Sequence, residues 1–334
     1  MNQNSLTIAI PTYNRPNQLR STLLRLIPQL THECVILIID NHSPIPAESI
    51  LDEIVYEHKD QRIKVVRNKI NIGGNANVCR CFELCETKYL WILGDDDSPM
   101  PDAIKTVLNN IEENPNVSFF NYCCELFKRK ETRLAEGLID FIQKIDNFGN
   151  LLFASNNIYK MDLISNNIQF AYQYTFTLAS QIAILLQSLE KSSKTIFSSK
   201  QIVSICDTAP EDRWSIVQQS LGYISLAELP KIVSNGLSES WLKMLNLDRV
   251  PVLLLFREVL YLTENKNYNY STKKFMLDQI FFRRFYKYPK YLRLLRIPLR
   301  LLLRFPKMIM FIFKTKKRIM NKVTYKHHFD TYFR

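Results

Sequence analysis

The sequence predicts an α/β protein: a mixed, mostly parallel sheet flanked by helices, with a helical, basic C-terminal extension. Two observations carry the sheet. Between residues 5 and 120, short apolar runs of strand length alternate with stretches of helical periodicity. The strand runs are also apolar almost throughout, as expected for strands covered by helices on both faces.

The elements follow in order. Leu6-Thr7-Ile8-Ala9-Ile10 is a strand stopped by Pro11, and Asn17 to Leu30 is an amphipathic helix with Leu19, Leu23, Leu26 and Leu30 near one face. Cys34 to Ile39 is a second buried strand ending at Asp40-Asn41. A helix over Glu48–Glu57 leads to the strand Arg62–Val66, and Asn71-Ile72-Gly73-Gly74 opens a helix over Asn75–Cys85. The run Tyr89–Leu93 is a strand closed by Gly94. A helix over Asp102–Glu112 and a strand at Val117–Phe120 complete the alternation. Beyond it, Thr175–Glu190 reads as one long helix, Thr195–Cys206 as β, and 210–226 and 247–262 as helices.

Length and composition set the bounds. The 334 residues suffice for one domain of roughly 200–250 residues plus an appendage. At 46% hydrophobic residues a packed core is expected and global disorder is excluded. Seven cysteines without zinc-type spacing read as reduced core residues. His32, His42, His58, His327 and His328 lack ligand spacing. Residues 1–5 lack a signal-peptide pattern, and no run of 18 uncharged apolar residues predicts a membrane span, so a cytoplasmic location is expected.

The net charge of +12 is unevenly placed. Residues 271–326 hold 17 Lys/Arg and one acid, whereas the first 270 hold 26 Lys/Arg and 30 Asp/Glu. Two regions are therefore expected: residues 1–235 as the α/β domain and 236–334 as a helical region carrying the basic segment.

Chemistry concentrates at strand ends. Asp95-Asp96-Asp97 places three mutually repelling carboxylates after the fourth strand, where an α/β sheet binds ligands. A divalent cation, Mg²⁺ or Mn²⁺, neutralises such a cluster and completes its shell with phosphate oxygens. A solvated acidic turn is the other reading. Pro11-Thr12-Tyr13-Asn14-Arg15 follows strand one, Asp40 strand two, and Asn71–Gly74 strand three. Tyr13 offers a flat face to a base, Asp40 accepts from a base N–H or a ribose hydroxyl, and Arg15 is a fork for phosphate. Gly73 and Gly74 admit close backbone approach at a helix N-terminus that favours anions.

This order of motifs resembles the family 2 glycosyltransferases of the GT-A fold, over about residues 5–120. The resemblance implies an inverting, sugar-nucleotide-dependent transferase. Pro11, Thr12, Tyr13 and Arg15 would border the nucleoside. Asp40 would contact the base or ribose, Asn71 and Gly74 would lie in the donor site, and Asp96 would face the ribose or sugar. Asp97 would hold the metal bridging the diphosphate, and Asp95 fills either role. The donor expected is UDP-linked, and the acceptor a glycan or lipid-linked hydroxyl in bacterial surface polysaccharide synthesis. A carboxylate general base is required. The family places it in an acidic pair past the metal motif, here Glu211-Asp212, with Asp207 as second candidate. The same pair is also explained as acids at a helix N-terminus. Ala154–Tyr159 is either an acceptor-lining segment or a plain loop.

In the basic segment, Arg293, Arg296, Arg300, Arg304 and Lys307 fall on one stripe of a helix beside a Leu/Ile/Phe/Met face, with Pro298 and Pro306 dividing it. That pattern suits a helix lying on an anionic membrane surface. Packing of the apolar face on the catalytic domain is the competing account. Nucleic acid is not expected, because no recognition module is visible. Two alternatives for the whole chain are a nucleotidyltransferase, which would show a Gly-rich loop and lysine after strand one, and a non-catalytic membrane-binding module, which would not need the triplet.

Overall fold

A computed structural model describes residues 5–54, 60–205, 222–245 and 269–279. Contacts divide the chain into one unit of residues 1–207 and 229–235 and a second of 208–228 and 236–334.

The first unit is built on an eight-stranded sheet. Its opening elements are β1 (Leu6–Thr12), α1 (Pro16–Leu26), β2 (Cys34–Asp40), α2 (Ala47–Ile54), β3 (Ile63–Arg67), α3 (Gly74–Glu83) and β4 (Tyr89–Ile92). After these come β5 (Ser98–Pro99), α4 (Ala103–Glu113), β6 (Val117–Cys123), β7 (Arg133–Glu136), α5 (Gly137–Lys144) and α6 (Phe148–Leu152). β8 (Asn157–Lys160), α7 (Met161–Ile164), α8 (Ile168–Gln173), α9 (Ser180–Ser188), β9 (Lys194–Gln201), β10 (Val203–Ser204) and α10 (Pro230–Ser234) complete it.

The sheet order is β3-β2-β1-β4-β8-β6-β9-β7, and β10 pairs with β5 in a separate ribbon. β3, β2, β1 and β4 run parallel, β8 is antiparallel to both its neighbours, β9 is parallel to β6, and β7 is antiparallel to β9. The sheet is thus mixed and mainly parallel, as expected.

The period of two explains the packing. Leu6, Ile8 and Ile10 on β1 point with Ile36, Ile38 and Trp91 into a core closed by Leu19, Leu23 and Leu26 of α1 and Ile104 and Val107 of α4. Each such side chain contributes roughly 1.5–3 kcal/mol on full burial. The opposite face is covered by α3, which packs on β1, β2 and β4.

Two elements depart from the sequence reading. The first helix ends at Leu26 rather than Leu30, and Ile27–Gln29 tighten into a 3₁₀ turn, because Pro28 cannot continue an α-helix. The long helix expected over Thr175–Glu190 is a 3₁₀ turn at Thr175–Thr177, a break, and α9. Leu178 is left-handed at φ 56°, and the Thr177 hydroxyl donates to Tyr174 O at 2.6 Å while accepting from Ala179 N at 3.2 Å. A threonine side chain here replaces the helix ladder.

The six described cysteines are free thiols. The second unit, described by itself, contains a 3₁₀ turn at Leu226–Glu228 and the helices α11 (Ser238–Leu245) and α12 (Tyr270–Gln279). Trp241 is fully buried and donates from Nε1 to Tyr223 O at 2.9 Å. No helix among the described residues is long and apolar enough to cross a membrane. The expected helices over 210–226 and 247–262, apart from residues 222–226, and the basic stripe of 293–307 lie outside the described residues.

Candidate functional site

Parallel pairing brings the predicted motifs together. Thr12, Asp40 and Arg67 are register partners at the carboxyl ends of β1, β2 and β3. β4 lies on the other side of β1, and Leu93 N donates to Ala9 O at 2.9 Å before the chain leaves the sheet. β1 is therefore where the strand order reverses, and the crevice outside such a reversal is where open α/β sheets bind ligands.

The acidic turn fills that crevice. Asp97 N closes the turn onto Gly94 O at 3.2 Å. Pairing of Ser98–Pro99 with Val203–Ser204 fixes the chain beyond it. Thr22 of α1 places its hydroxyl 2.9 Å from the carbonyls of both Asp95 and Asp97. The carboxylates are individually held. Asp95 accepts from the Thr12 hydroxyl at 2.7 Å and from Arg15 Nη1 at 3.0 Å, and the same Nη1 lies 3.0 Å from Asp96 Oδ2. Asp97 accepts from the Ser155 hydroxyl at 2.5 Å. A Cβ at Gly94 would lie 2.5 Å from Asp97 Oδ2 and 3.2 Å from Asp96 Oδ1, so two carboxylates fold back over the glycine and only glycine admits them.

One cation does not satisfy three acids. Asp95 and Asp97 are almost fully buried, and the ion pairs reaching the triplet among the described residues all come from Arg15. Burial pushes the Asp95 carboxyl up to about 6, against the Thr12 hydrogen bond and Arg15. Burial, followed by repulsion from Asp96 and Asp95, pushes Asp97 up to about 7, against the Ser155 hydrogen bond. These are carboxylates short of positive charge.

The other strand ends form a rigid wall. Asp40 is fully buried, and both its oxygens are committed. Oδ1 accepts from Ser43 N at 2.8 Å; Oδ2 accepts from Ala47 N at 3.3 Å and from Arg67 Nη1. Asp40 thus braces its own loop at the end of β2, where the base or ribose contact is expected.

An amide network follows. Asn68 Nδ2 donates to Asn41 Oδ1 at 2.9 Å and to Asn77 Oδ1 at 2.8 Å, and Asn41 Nδ2 donates to Asn71 Oδ1 at 2.8 Å. Asn71 Oδ1 also accepts from Gly73 N at 2.8 Å. Gly73 has φ 86° and ψ 149°, a region essentially closed to other residues, and Gly74 begins α3. On the rim, Pro11 is half-buried and Tyr13 is 44% exposed. Asn14 and His42, at φ 54° and 67°, take up left-handed backbone at the ends of β1 and β2. Backbone strain of this kind gathers at functional sites.

The structure thus brings Pro11, Thr12, Tyr13, Arg15, Asn71, Gly74, Asp95, Asp96 and Asp97 to one end of the sheet. Glu211, Asp212 and Asp207 lie outside the described residues. Sequence reasoning missed Thr22, Arg67, Asn77 and the role of Ser155. Ser155 was expected on an acceptor-lining segment or in a plain loop. It is fully buried, donates to Asp97, and accepts from Gly94 N at 2.8 Å. No sequence signal pairs a serine with an aspartate across such a separation. Among the described residues no group of three or more His, Cys, Asp or Glu by itself forms a metal site.

An acid-lined crevice at the reversal of a parallel sheet, walled by strained turns and a glycine-opened helix, defines an α/β protein with its ligand site at the strand ends. The chain belongs to glycosyl transferase family 2, whose family model matches residues 7–174. It is similar to an uncharacterized glycosyltransferase of Methanocaldococcus jannaschii, 27% identical over 119 residues, 35% of this chain and 40% of that protein. It is also similar to the abequosyltransferase RfbV of Salmonella typhimurium, 28% identical over 129 residues, 38% of this chain and 36% of that protein. The matched segments span about two fifths of these relatives. Among solved structures, S. aureus TarS 1–349 in complex with UDP-GlcNAc shares the fold, with a TM-score of 0.54 at 14% identity, covering 91% of this chain and 88% of that one.

Proposed function

We propose that this protein transfers a sugar from a nucleoside diphosphate donor, UDP-linked, to a hydroxyl of a glycan or lipid-linked acceptor in bacterial surface polysaccharide synthesis. The observation that supports it best is the acid turn, where Asp96 and Asp97 fold over Gly94 and Asp95 and Asp97 are held above the usual carboxylate range. The donor set is all carboxylate oxygen and short of positive charge, which fits Mn²⁺ or Mg²⁺ completed by diphosphate oxygens. Asp97 and Asp95 would hold the cation, which when bound supplies charge neutralisation for the departing nucleoside diphosphate.

The chain's own residues do the rest. Tyr13 stacks on the base, Pro11 and Thr12 border the nucleoside, and Arg15 meets the diphosphate. Gly74 admits the donor to the α3 N-terminus, and Asn71 holds that segment in place. Asp96 faces the ribose or sugar. Asp40 and Arg67 keep the second wall rigid. Glu211 or Asp212 removes the acceptor proton in a single inverting displacement. Residues 1–235 form the catalytic domain, and the basic segment within 236–334, about residues 271–326, rests on the inner face of the cell membrane.

The UDP-GlcNAc bound to TarS supports the donor class, and the likeness to an abequosyltransferase supports the pathway class. Family membership favours this reading over a nucleotidyltransferase or a non-catalytic membrane module. The test is a screen of UDP-, GDP- and dTDP-sugars for thermal stabilisation and slow hydrolysis, with and without Mn²⁺. Mn²⁺-dependent stabilisation by a UDP-sugar is expected. A flat response to every nucleotide sugar overturns the reading.

A further inference from the structure

Arg15 occupies the place of a cation. Its Nη1 lies 3.0 Å from Asp95 Oδ1 and 3.0 Å from Asp96 Oδ2, bridging two adjacent carboxylates from one nitrogen. Its backbone is anchored: Arg15 is the N-cap of α1, and its carbonyl accepts from Leu19 N at 3.0 Å. Its side chain is 27% exposed, so the guanidinium reaches the acids from the open side of the crevice. Guanidinium stays charged at every working pH, and its fork matches phosphate as well as carboxylate.

Resting on the donor reading above, we propose that Arg15 is the resident counter-ion of the metal-free site. It occupies carboxylate oxygens that a divalent cation needs, and releases them when a nucleoside diphosphate arrives with the cation and offers phosphate oxygens to the same guanidinium. The charges favour the exchange. Among the described residues one guanidinium answers three carboxylates, whereas a divalent cation on the acids lets the guanidinium turn to the diphosphate. The anchored backbone confines the motion to side-chain torsions. Cation and nucleotide therefore bind with positive coupling, and each raises the other's affinity by the same factor.

The test is binding rather than turnover, on the full chain. Mn²⁺ affinity is measured by EPR without nucleotide, and UDP affinity by calorimetry with and without Mn²⁺. In the wild type, Mn²⁺ alone binds weakly and UDP tightens it about 5–150-fold, the usual range of such couplings. In Arg15→Gln the two affinities move in opposite directions: Mn²⁺ alone binds about tenfold tighter, UDP without Mn²⁺ binds more weakly, and the coupling factor falls toward one. Arg15→Lys keeps the charge without the fork and changes in the same directions by about threefold. It decides the question alone if Arg15→Gln does not fold.

A merely structural Arg15 would weaken both affinities together, and that result overturns the proposal, as does unchanged Mn²⁺ affinity in both variants. Wild-type protein that binds no UDP with or without Mn²⁺ overturns the donor reading itself. A coupled wild type whose coupling persists undiminished in both variants overturns only the role of Arg15.

Discussion

Two regions of the same sheet bury charge in opposite ways. In the β8-β6-β9-β7 half, Arg129 has a side chain only 2% exposed, yet every direction is answered. It pairs with Asp146 at 2.9 Å and donates to Asn121 O at 3.0 Å and Ser198 O at 3.1 Å. Asn121 and Asn150 extend the same network, with Asn150 Nδ2 donating to Tyr122 O at 2.9 Å. In the β3-β2-β1-β4 half, one partly exposed guanidinium is shared by Asp95 and Asp96, and the buried Asp97 carboxyl is met by the Ser155 hydroxyl. Compensated burial holds a structure together. Uncompensated burial costs stability, and it marks a site that awaits a ligand.

Substitutions sharpen this contrast from the largest effect down. Asp97→Asn lowers transfer by about 10³-fold, the scale of losing one oriented electrostatic group, while raising thermal stability at pH 8. The sign follows from the raised carboxyl. Its folded value of about 7 exceeds the ordinary aspartate value of 3.8, so the folded state binds the proton more tightly. Stability from that group is full below about pH 3.8, is lost as pH rises through about 7, and is absent at pH 8. The amide removes this loss, so the melting temperature between pH 5 and 8 flattens relative to wild type. A variant that melts lower at pH 8 would break the comparison.

Arg129→Leu does the reverse. Asp146 keeps Arg133 at 2.7 Å, but the buried Asn121 and Ser198 carbonyls lose the guanidinium that donates to them, costing on the order of 3 kcal/mol, roughly 6–12 °C in a domain of this size. The folded fraction retains donor affinity in calorimetry. Ser155→Ala removes the hydroxyl on Asp97 without changing the core volume much. Loss of such a supporting contact costs 10–100-fold in metal affinity or activity, about 10-fold here, read as Mn²⁺ affinity at unchanged nucleotide affinity without metal. Gly73→Ala meets no atom within 4 Å, so its cost is backbone strain alone, about 1–3 kcal/mol. It is read as a lower urea midpoint with an unchanged slope.

The legible part of the site was the local part. Tyr89–Ile92 reads as a strand from its apolar run and Gly94 as its exit, and both are set within a few residues. The motifs at the four strand ends were legible because each ends a strand, and parallel strands put their ends together. Asp40 was visible as an acidic residue at the right place. Its commitment to Ser43 N, Ala47 N and Arg67 was not, because Arg67 enters only through the register of β2 with β3. The segment Thr175–Glu190 misled because a threonine hydroxyl and a helix backbone compete on equal terms, and periodicity does not reveal the winner.

The sequence by itself determined the α/β class, the order of the first four strands and helices, and the acids, glycines and Tyr13 at the carboxyl ends. These depend on patterns of a few residues and on the period of each element. Only the tertiary structure decided that Arg15 bridges Asp95 and Asp96, that Ser155 holds Asp97, and that Asp40 braces its own loop. Each of those is a contact between residues far apart in the chain, and its energy appears only when folding brings the partners within hydrogen-bond distance and removes the water between them.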